Sequence, residues 1–284
     1  MDAVGHDANG DQIAYWNGPG GQMWADRQAV QDVVLGPAGD LVVDRAAPQP
    51  GERIVDVGCG SGALSIALAD KVGPTGDVLG IDVSTPMLAR ARDRAPAGLP
   101  LRFEWADATI YPFQPGFDLI ASRFGVMFFA DPVLSFSNLR KALKPSGRLA
   151  FACWREPRFN PFFMTPLQAV YRHVEKLPPM GPEDPGPFSF ASEARVRGIL
   201  GAAGFGDVAM EPCDLALDVA VGQGLDAAVQ GVLEIGPASR ALEGQPAEIH
   251  AAAAVSVREA LLPFEQGDRV PLPASVWIVT ARAA

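Results

Sequence analysis

Cysteine, histidine and tyrosine are scarce in this 284-residue sequence, at three residues each. Cys59, Cys153 and Cys213 are odd in number and far apart, which excludes a disulfide framework and shows no metal-ligand spacing. His6, His173 and His250 sit near neither one another nor a cysteine pair, so a zinc site has no support and no metal is expected. Positive charge is also short: 23 Lys and Arg face 33 Asp and Glu, a net charge of −10. The averaged field repels a phosphate backbone, and nucleic acid is not an expected partner. The compact basic run RARDR, Arg90 to Arg94, reads as the solvated side of a helix. Long apolar runs are missing too, with none near the roughly 20 residues that span a bilayer. The start MDAVGHDANGDQ lacks the basic and apolar regions of a secretory leader, so the expected address is the cytoplasm.

What is present is a folded composition, 48% hydrophobic and 20% charged, long enough for one large domain or a domain with a cap. Between residues 53 and 154, short apolar runs alternate with helical patterns, as βα units around a parallel sheet do. RIVDV (53–57), DVLGID (77–82), LRFEW (101–105), FDLIAS (117–122) and GRLAFACW (147–154) are the strand candidates. Ser84-Thr85-Pro86 and Asp131-Pro132 offer N-caps followed by proline, and Lys144-Pro145-Ser146-Gly147 reads as a stop and turn. A doubly wound sheet is the leading architecture. After Trp154 the rhythm breaks into the proline-dense LPPMGPEDPGPFSF. It resumes with the helix SEARVRGILGAAG, capped by Ser192 and Gly204, a strand around VAMEPCDLAL, helices near 225–243 and 246–262, and the strand SVWIVTAR (275–282).

The chemistry concentrates in IVDVGCGSGALSIAL, Ile54 to Leu68. A strand ends, glycines fill positions 58, 60 and 62, and a helix begins, so a ligand can lie against bare main chain. Gly58, Gly60 and Ala63 also satisfy the dinucleotide pattern G-x-G-x-x-G/A, which leaves NAD open. Asp56, two residues before the first glycine, would repel a pyrophosphate and welcome an ammonium group. Asp82 ends the next strand, where a carboxylate can accept both hydroxyls of a ribose. Asp107, between Ala106 and Ala108 after the third strand, can accept from an adenine amino group while its neighbours flank the ring. An amino-acid-bearing nucleotide fits this series better than NAD.

VDVGCGSG, GIDVS, WADAT and FDLIASRFGVMFF together resemble the glycine-rich, ribose, adenine and fourth-strand motifs of the class I S-adenosylmethionine-dependent methyltransferases. The likeness covers most of residues 50 to 155 and is greatest to small-molecule enzymes of the kind that act on quinones. It implies a mostly parallel, doubly wound seven-stranded sheet of order 3-2-1-4-5-7-6, its last strand SVWIVTAR antiparallel. It also implies S-adenosylmethionine as cofactor. Asp56 and the loop Gly58, Cys59, Gly60 and Gly62 would hold the methionine part, with Cys59 offering its backbone N–H. Asp82 would hold the ribose and Asp107 the adenine, with Met87 on the following helix and Arg123 and Phe124 beside the cofactor.

With that loop assigned, YWNGPGGQMW (15–24) is expected to be a flexible turn between Tyr15-Trp16 and a helix starting near Gln22. In a first segment, residues 1–45, Trp16 or Trp24 would close as a flap over the sulfonium, or else staple the first helix to the domain. Residues 46–284 would form the Rossmann-like domain, with cap insertions at about 155–190 and 222–265. The apolar surplus there (Phe159, Phe162, Phe163, Phe188, Phe190, Leu225, Val229, Leu233, Ile235) can line an acceptor pocket, form the cap's own core, or make a homodimer contact. The expected reaction is in-line methyl transfer to a small apolar metabolite at O, C or N, in which orientation supplies much of the acceleration. Where the acceptor must lose a proton, His173 and Tyr15 are the base candidates carried forward, with His250 and Glu234 behind them. An NAD-dependent oxidoreductase and a noncatalytic binding protein are the alternatives.

Overall fold

The computed structural model describes residues 9–178, 181 and 183–283. His6 lies outside them. Seven strands form one sheet in the order β3-β2-β1-β4-β5-β7-β6: β1 Arg53–Val57, β2 Asp77–Asp82, β3 Leu101–Trp105, β4 Phe117–Arg123, β5 Leu143–Trp154, β6 Phe205–Asp218 and β7 Pro271–Ala283. The first five run parallel, while β7 pairs antiparallel with both β5 and β6. The sheet order and the antiparallel SVWIVTAR strand are those the resemblance implied.

Central strands read as unbroken apolar runs because both faces are covered. Ile54, Val55, Leu119, Ile120, Phe151 and Cys153 have no exposed surface. Each such large aliphatic or aromatic side chain is worth roughly 1.5–3 kcal/mol of burial.

The helices are α1 Gly10–Asn17, α2 Pro19–Asp26, α3 Gln28–Ala46, α4 Ala63–Val72, α5 Thr85–Arg94, α6 Pro132–Ala142, α7 Pro161–Val170, α8 Glu193–Ala202, α9 Gly224–Glu234, α10 Pro237–Leu242 and α11 Ala247–Leu261. Capping chemistry sets several starts: Ser84 accepts from the Met87 N–H, Asp131 from Leu134 and Ser192 from Arg195. Gly204, at φ +85°, closes α8. The expected single helix at 225–243 is two, broken at Gly236, whose φ is +98°. The KPSG segment is carried inside β5 as an irregular swelling, since Phe117 pairs with Leu143 but Leu119 with Arg148.

A second apolar cluster, built on Leu167, Val170, Leu225, Val229, Leu242, Val257 and Leu261, meets the sheet at Leu272, near the start of β7. The cap helices α7 and α9 to α11 therefore have a core of their own. No helix among the described residues is long and apolar enough to cross a membrane.

Candidate functional site

At the carboxyl ends of β1 to β5, where ligands bind in open α/β sheets, lies a cavity of about 2240 Å³. A pocket for one drug-sized ligand takes about 300–1,000 Å³, so this one has room for more than one. One half is lined by strand-end carboxylates and glycines, the other by aromatic rings.

The glycine loop is shaped by contacts no other residue could make. Gly58 has φ +64°, and a Cβ there would fall 2.6 Å from the Cα of Gly125, in the loop after β4. The φ of Gly60 is +54°, and its missing Cβ would meet only the Met87 sulfur, at 3.7 Å. Gly60 thus leaves a strip of backbone open to the cavity, floored by Met87. Gly62 (φ +86°) begins α4 and packs on Phe103. One expectation is corrected: the Cys59 N–H is not open to a ligand, because it donates to the Ile81 carbonyl at 3.0 Å. Its thiol is buried and pushed up by that burial.

The three aspartates end successive strands on this edge. Asp82 binds the loop itself, accepting from Gly60 N at 2.7 Å and Ser84 N at 2.8 Å, and it still faces the cavity. Asp107 accepts from Asn9 Nδ2 at 2.9 Å on each oxygen and from Thr109 N at 2.8 Å. Asp56 is fully buried; Ser65 Oγ donates to its Oδ2 at 2.5 Å, while Oδ1 has no partner. Ala106 and Ala108 line the cavity on either side of Asp107. Phe124 holds φ +68°, uncommon for a bulky residue, and stacks flat on Trp154 with ring centroids 4.2 Å apart.

Burial pushes the Asp56 carboxyl up to about 7, with relief from Ser65 and the Arg123 charge, and it also raises Asp82. Between its unfolded value near 3.8 and about 7, the native state binds more protons than the unfolded chain. Stability from this group is therefore lost as pH rises through that window. Relative to Asp56→Asn, the wild type should lose about 2–3 kcal/mol between pH 5 and pH 8. Paired thermal melts check this; a gap that stays constant with pH would mean Asp56 is ionised throughout.

The N-terminal helices roof the carboxylate half. Asn9 pins the chain to Asp107, to Thr109 Oγ1 at 2.9 Å and to the Ala130 N–H at 3.0 Å. Asn17 donates to the Val83 carbonyl and accepts from Thr85 N, and the Trp16 carbonyl accepts from Ser84 Oγ. Here too an expectation is corrected. YWNGPGGQMW is no flexible turn, since α2 starts at Pro19 and Gly18 alone joins it to α1. Gly21 serves close packing, because a Cβ would sit 1.8 Å from the Trp16 carbonyl oxygen. Trp16 meets Trp24 and Phe128 edge-on, at 6.2 and 5.1 Å, and all three line the cavity. Nothing in the sequence pattern singled out Asn9, Asn17 or the Ser84 hydroxyl as clasps, because their partners lie 66 to 121 residues away.

The wider half is walled by Trp154, Phe159, Phe162, Phe163, Phe188 and Trp277. Tyr15, His250 and Glu234 also reach it, Glu234 paired with Arg27 of the α2–α3 junction. His173 does not: it lies past the end of α7, outside the lining, with Nε2 2.8 Å from Ser256 Oγ on α11. The helix expected to carry it ends at Val170, and the turn that follows aims the imidazole into the cap.

The described geometry agrees with three comparisons. Residues 54–147 match the profile of a methyltransferase domain. A demethylmenaquinone methyltransferase of Thermus thermophilus is 33% identical over 57% of this chain and 78% of its own. An uncharacterized protein of Mycobacterium tuberculosis is 32% identical over 63% of this chain, and the match spans 64% of that protein's length. The fold is shared with the YcgJ protein of Bacillus subtilis, at a TM-score of 0.56 and 16% identity, covering 87% of this chain and 98% of that one. The chain belongs to the S-adenosylmethionine-dependent methyltransferases, of the class I fold. The cofactor of that family is S-adenosylmethionine, and the residues here fit it: Asp56 has an oxygen without a donor, and Gly60 keeps a strip of main chain bare.

Proposed function

We propose that the protein transfers a methyl group from S-adenosylmethionine to a small, largely apolar metabolite at oxygen, carbon or nitrogen by in-line displacement. The observation that carries this is a single cavity with carboxylates from three successive strand ends in one half and aromatic walls in the other. When bound, the cofactor supplies a methyl group on a sulfonium that is already a good leaving group.

The chain's own residues hold, orient and dry. Asp82 takes the ribose hydroxyls, Asp107 the adenine amino group and Asp56 the ammonium, with Gly58, Gly60 and Gly62 as the floor and Met87, Ala106, Ala108 and Phe124 around it. Asn9 and Asn17 fasten α1 over that half, where it would help keep water from the transferring methyl group. Trp16 and Trp24 present aromatic faces and edges where a cation would lie. Orientation of this kind contributes up to about 7–11 kcal/mol. Tyr15, His250 and Glu234 line the cavity and would take a proton from the acceptor, a role His173, paired with Ser256 in the cap, is too remote to fill. Similarity to an enzyme named for demethylmenaquinone supports a quinone-like acceptor. The same reading puts the protein in the cytoplasm, in keeping with three free cysteines.

Incubation with S-adenosylmethionine and a reduced naphthoquinone should yield S-adenosylhomocysteine and a product heavier by one methyl group, read by mass spectrometry. Binding of NAD with no binding of S-adenosylhomocysteine would overturn the reading.

A further inference from the structure

β5 ends at Trp154, and the chain then passes through Arg155, Glu156 and the short helical turn Pro157–Phe159 before α7. Glu156 lines the cavity there, on its aromatic side. Its backbone is fixed on both sides. The Arg155 N–H donates to the Ser275 carbonyl of β7 at 3.1 Å. The amide of Asn160, which has no exposed surface, donates to the Arg155 and Glu156 carbonyls at 3.0 and 3.2 Å and accepts from the Ser275 N–H at 2.9 Å. A side chain on so firm a base has less freedom to lose when a ligand binds.

From β5 onward, five carboxylates among the described residues line the cavity: Glu156, Asp184, Glu193, Glu234 and Glu243. Asp184, Glu193 and Glu243 are exposed to water, and Glu234 is neutralised by Arg27. Glu156 differs. Its side chain is half-buried: Oε1 accepts from the exposed Arg158 at 3.4 Å, while Oε2 is shut off from water and has no donor among the described residues. An ion pair that long and that exposed contributes little. Arg155, the neighbouring cation, is engaged elsewhere, its guanidinium 4.2 and 4.8 Å from the ring centroids of Phe159 and Trp277 and donating to Ser275 Oγ at 3.0 Å. A buried carboxylate oxygen without a donor is costly. The rings of Trp154, Phe159 and Phe162 beside it suit a flat apolar ligand, and such a ligand can bring the missing donor. Rotation about the last bond of the side chain, a soft torsion, turns either oxygen toward it.

We propose that Glu156 is a specificity-determining residue of the wide half, receiving a hydroxyl of the acceptor, so that the acceptor is an aromatic ring bearing a hydroxyl and not a plain hydrocarbon or an ether. The assignment deepens the methyltransferase reading above and rests on it. A carboxylate takes the proton of an O–H, but it meets an ether oxygen lone pair against lone pair. A hydrogen bond to a charged group of this kind corresponds to about 10- to 100-fold in affinity.

Calorimetry on the protein saturated with S-adenosylhomocysteine reads the preference, with 1-naphthol and its methyl ether, 1-methoxynaphthalene, as probes that share a ring and differ at the oxygen. The wild type should bind the naphthol about 10- to 100-fold more tightly than the ether. Glu156→Leu should erase that preference while leaving the ether within about 3-fold of its wild-type affinity. Glu156→Gln keeps the shape and a neutral acceptor, so it should retain a preference of about 2- to 10-fold, and it decides the case if the leucine variant does not fold. A wild type that binds both probes equally, or neither, overturns the proposal. A glutamine variant with the full preference overturns it too, as does a leucine variant that weakens both probes alike, which would make Glu156 a matter of the wall's shape. Failure of the wild type to take up S-adenosylhomocysteine in the first titration would instead refute the methyl-donor site, a result separate from any on the naphthalenes.

Discussion

Asp82→Ala is expected to lower affinity for S-adenosylhomocysteine by about 100-fold or more while the protein stays folded. In the proposed complex the carboxylate takes two ribose hydroxyls, each a charge-assisted bond worth about 1.5–3 kcal/mol. It also clamps the loop, because Gly60 N and Ser84 N both donate to it. Alanine would remove the ligand contacts and free the strip of backbone on which the ligand lies. Folding should survive, because Asp82 lies at the cavity wall, where water can meet the two released N–H groups, and burial already penalises its charge. Asp82→Asn keeps the shape and loses the charge, so it should fall between wild type and alanine. Calorimetric titration with a melting curve for each variant reads both effects. An alanine variant within about 5-fold of wild type, roughly 1 kcal/mol, would mean the ribose is held elsewhere.

The central sheet was legible because its signals are local. RIVDV, DVLGID and LRFEW are apolar runs bounded by turn residues, and they form β1 to β3 with the same ends. Ser84 and Asp131 announced helix starts through side chains that reach only three residues on. The three aspartates were legible for the same reason, each being fixed by the strand that precedes it.

What was not legible depends on distance. Cys59 could be assigned to the loop, but its N–H is claimed by Ile81, a residue of the neighbouring strand. The glycines of YWNGPGGQMW look like a flexible turn to a local rule, yet Gly21 is required by the Trp16 carbonyl in the preceding helix. His173 sits in an apolar, helix-like stretch; only the end of α7 at Val170 turns it from the cavity toward Ser256. Asn9, the residue that closes the roof onto Asp107, carries no local signature at all. The apolar surplus of the insertions divides by place: Leu225 and Val229 build the cap core, whereas Phe159 and Phe188 wall the cavity.

The two loops that frame the cofactor half depend on one contact, and this gives the second large effect. Gly58 and Gly125 oppose each other so closely that a Cβ on either meets the other's Cα, at 2.6 and 2.7 Å; one on Gly125 also meets the Val57 carbonyl oxygen at 2.6 Å. These are backbone atoms, which cannot rotate aside as a flexible side chain would. Gly58→Ala should therefore cost about 1–3 kcal/mol in overpacking and about 1–2 kcal/mol for a side chain in the left-handed region. The melting temperature should fall by roughly 4–20 °C, taking about 2–4 °C per kcal/mol for a domain of about this size. Gly125→Ala, whose φ is not in that region, should cost the overpacking alone. Once either substitution has forced the loops apart, the other meets more room, so the double variant should fall short of the summed losses by about 1 kcal/mol or more. Ligand affinity should fall as well, because the separation of β1 and β4 at their carboxyl ends is the crevice beside which the proposed cofactor site lies. Thermal melts and calorimetry on the four proteins of the cycle measure both. Strict additivity would show that the two glycines act independently and that something other than their contact sets the width of the site.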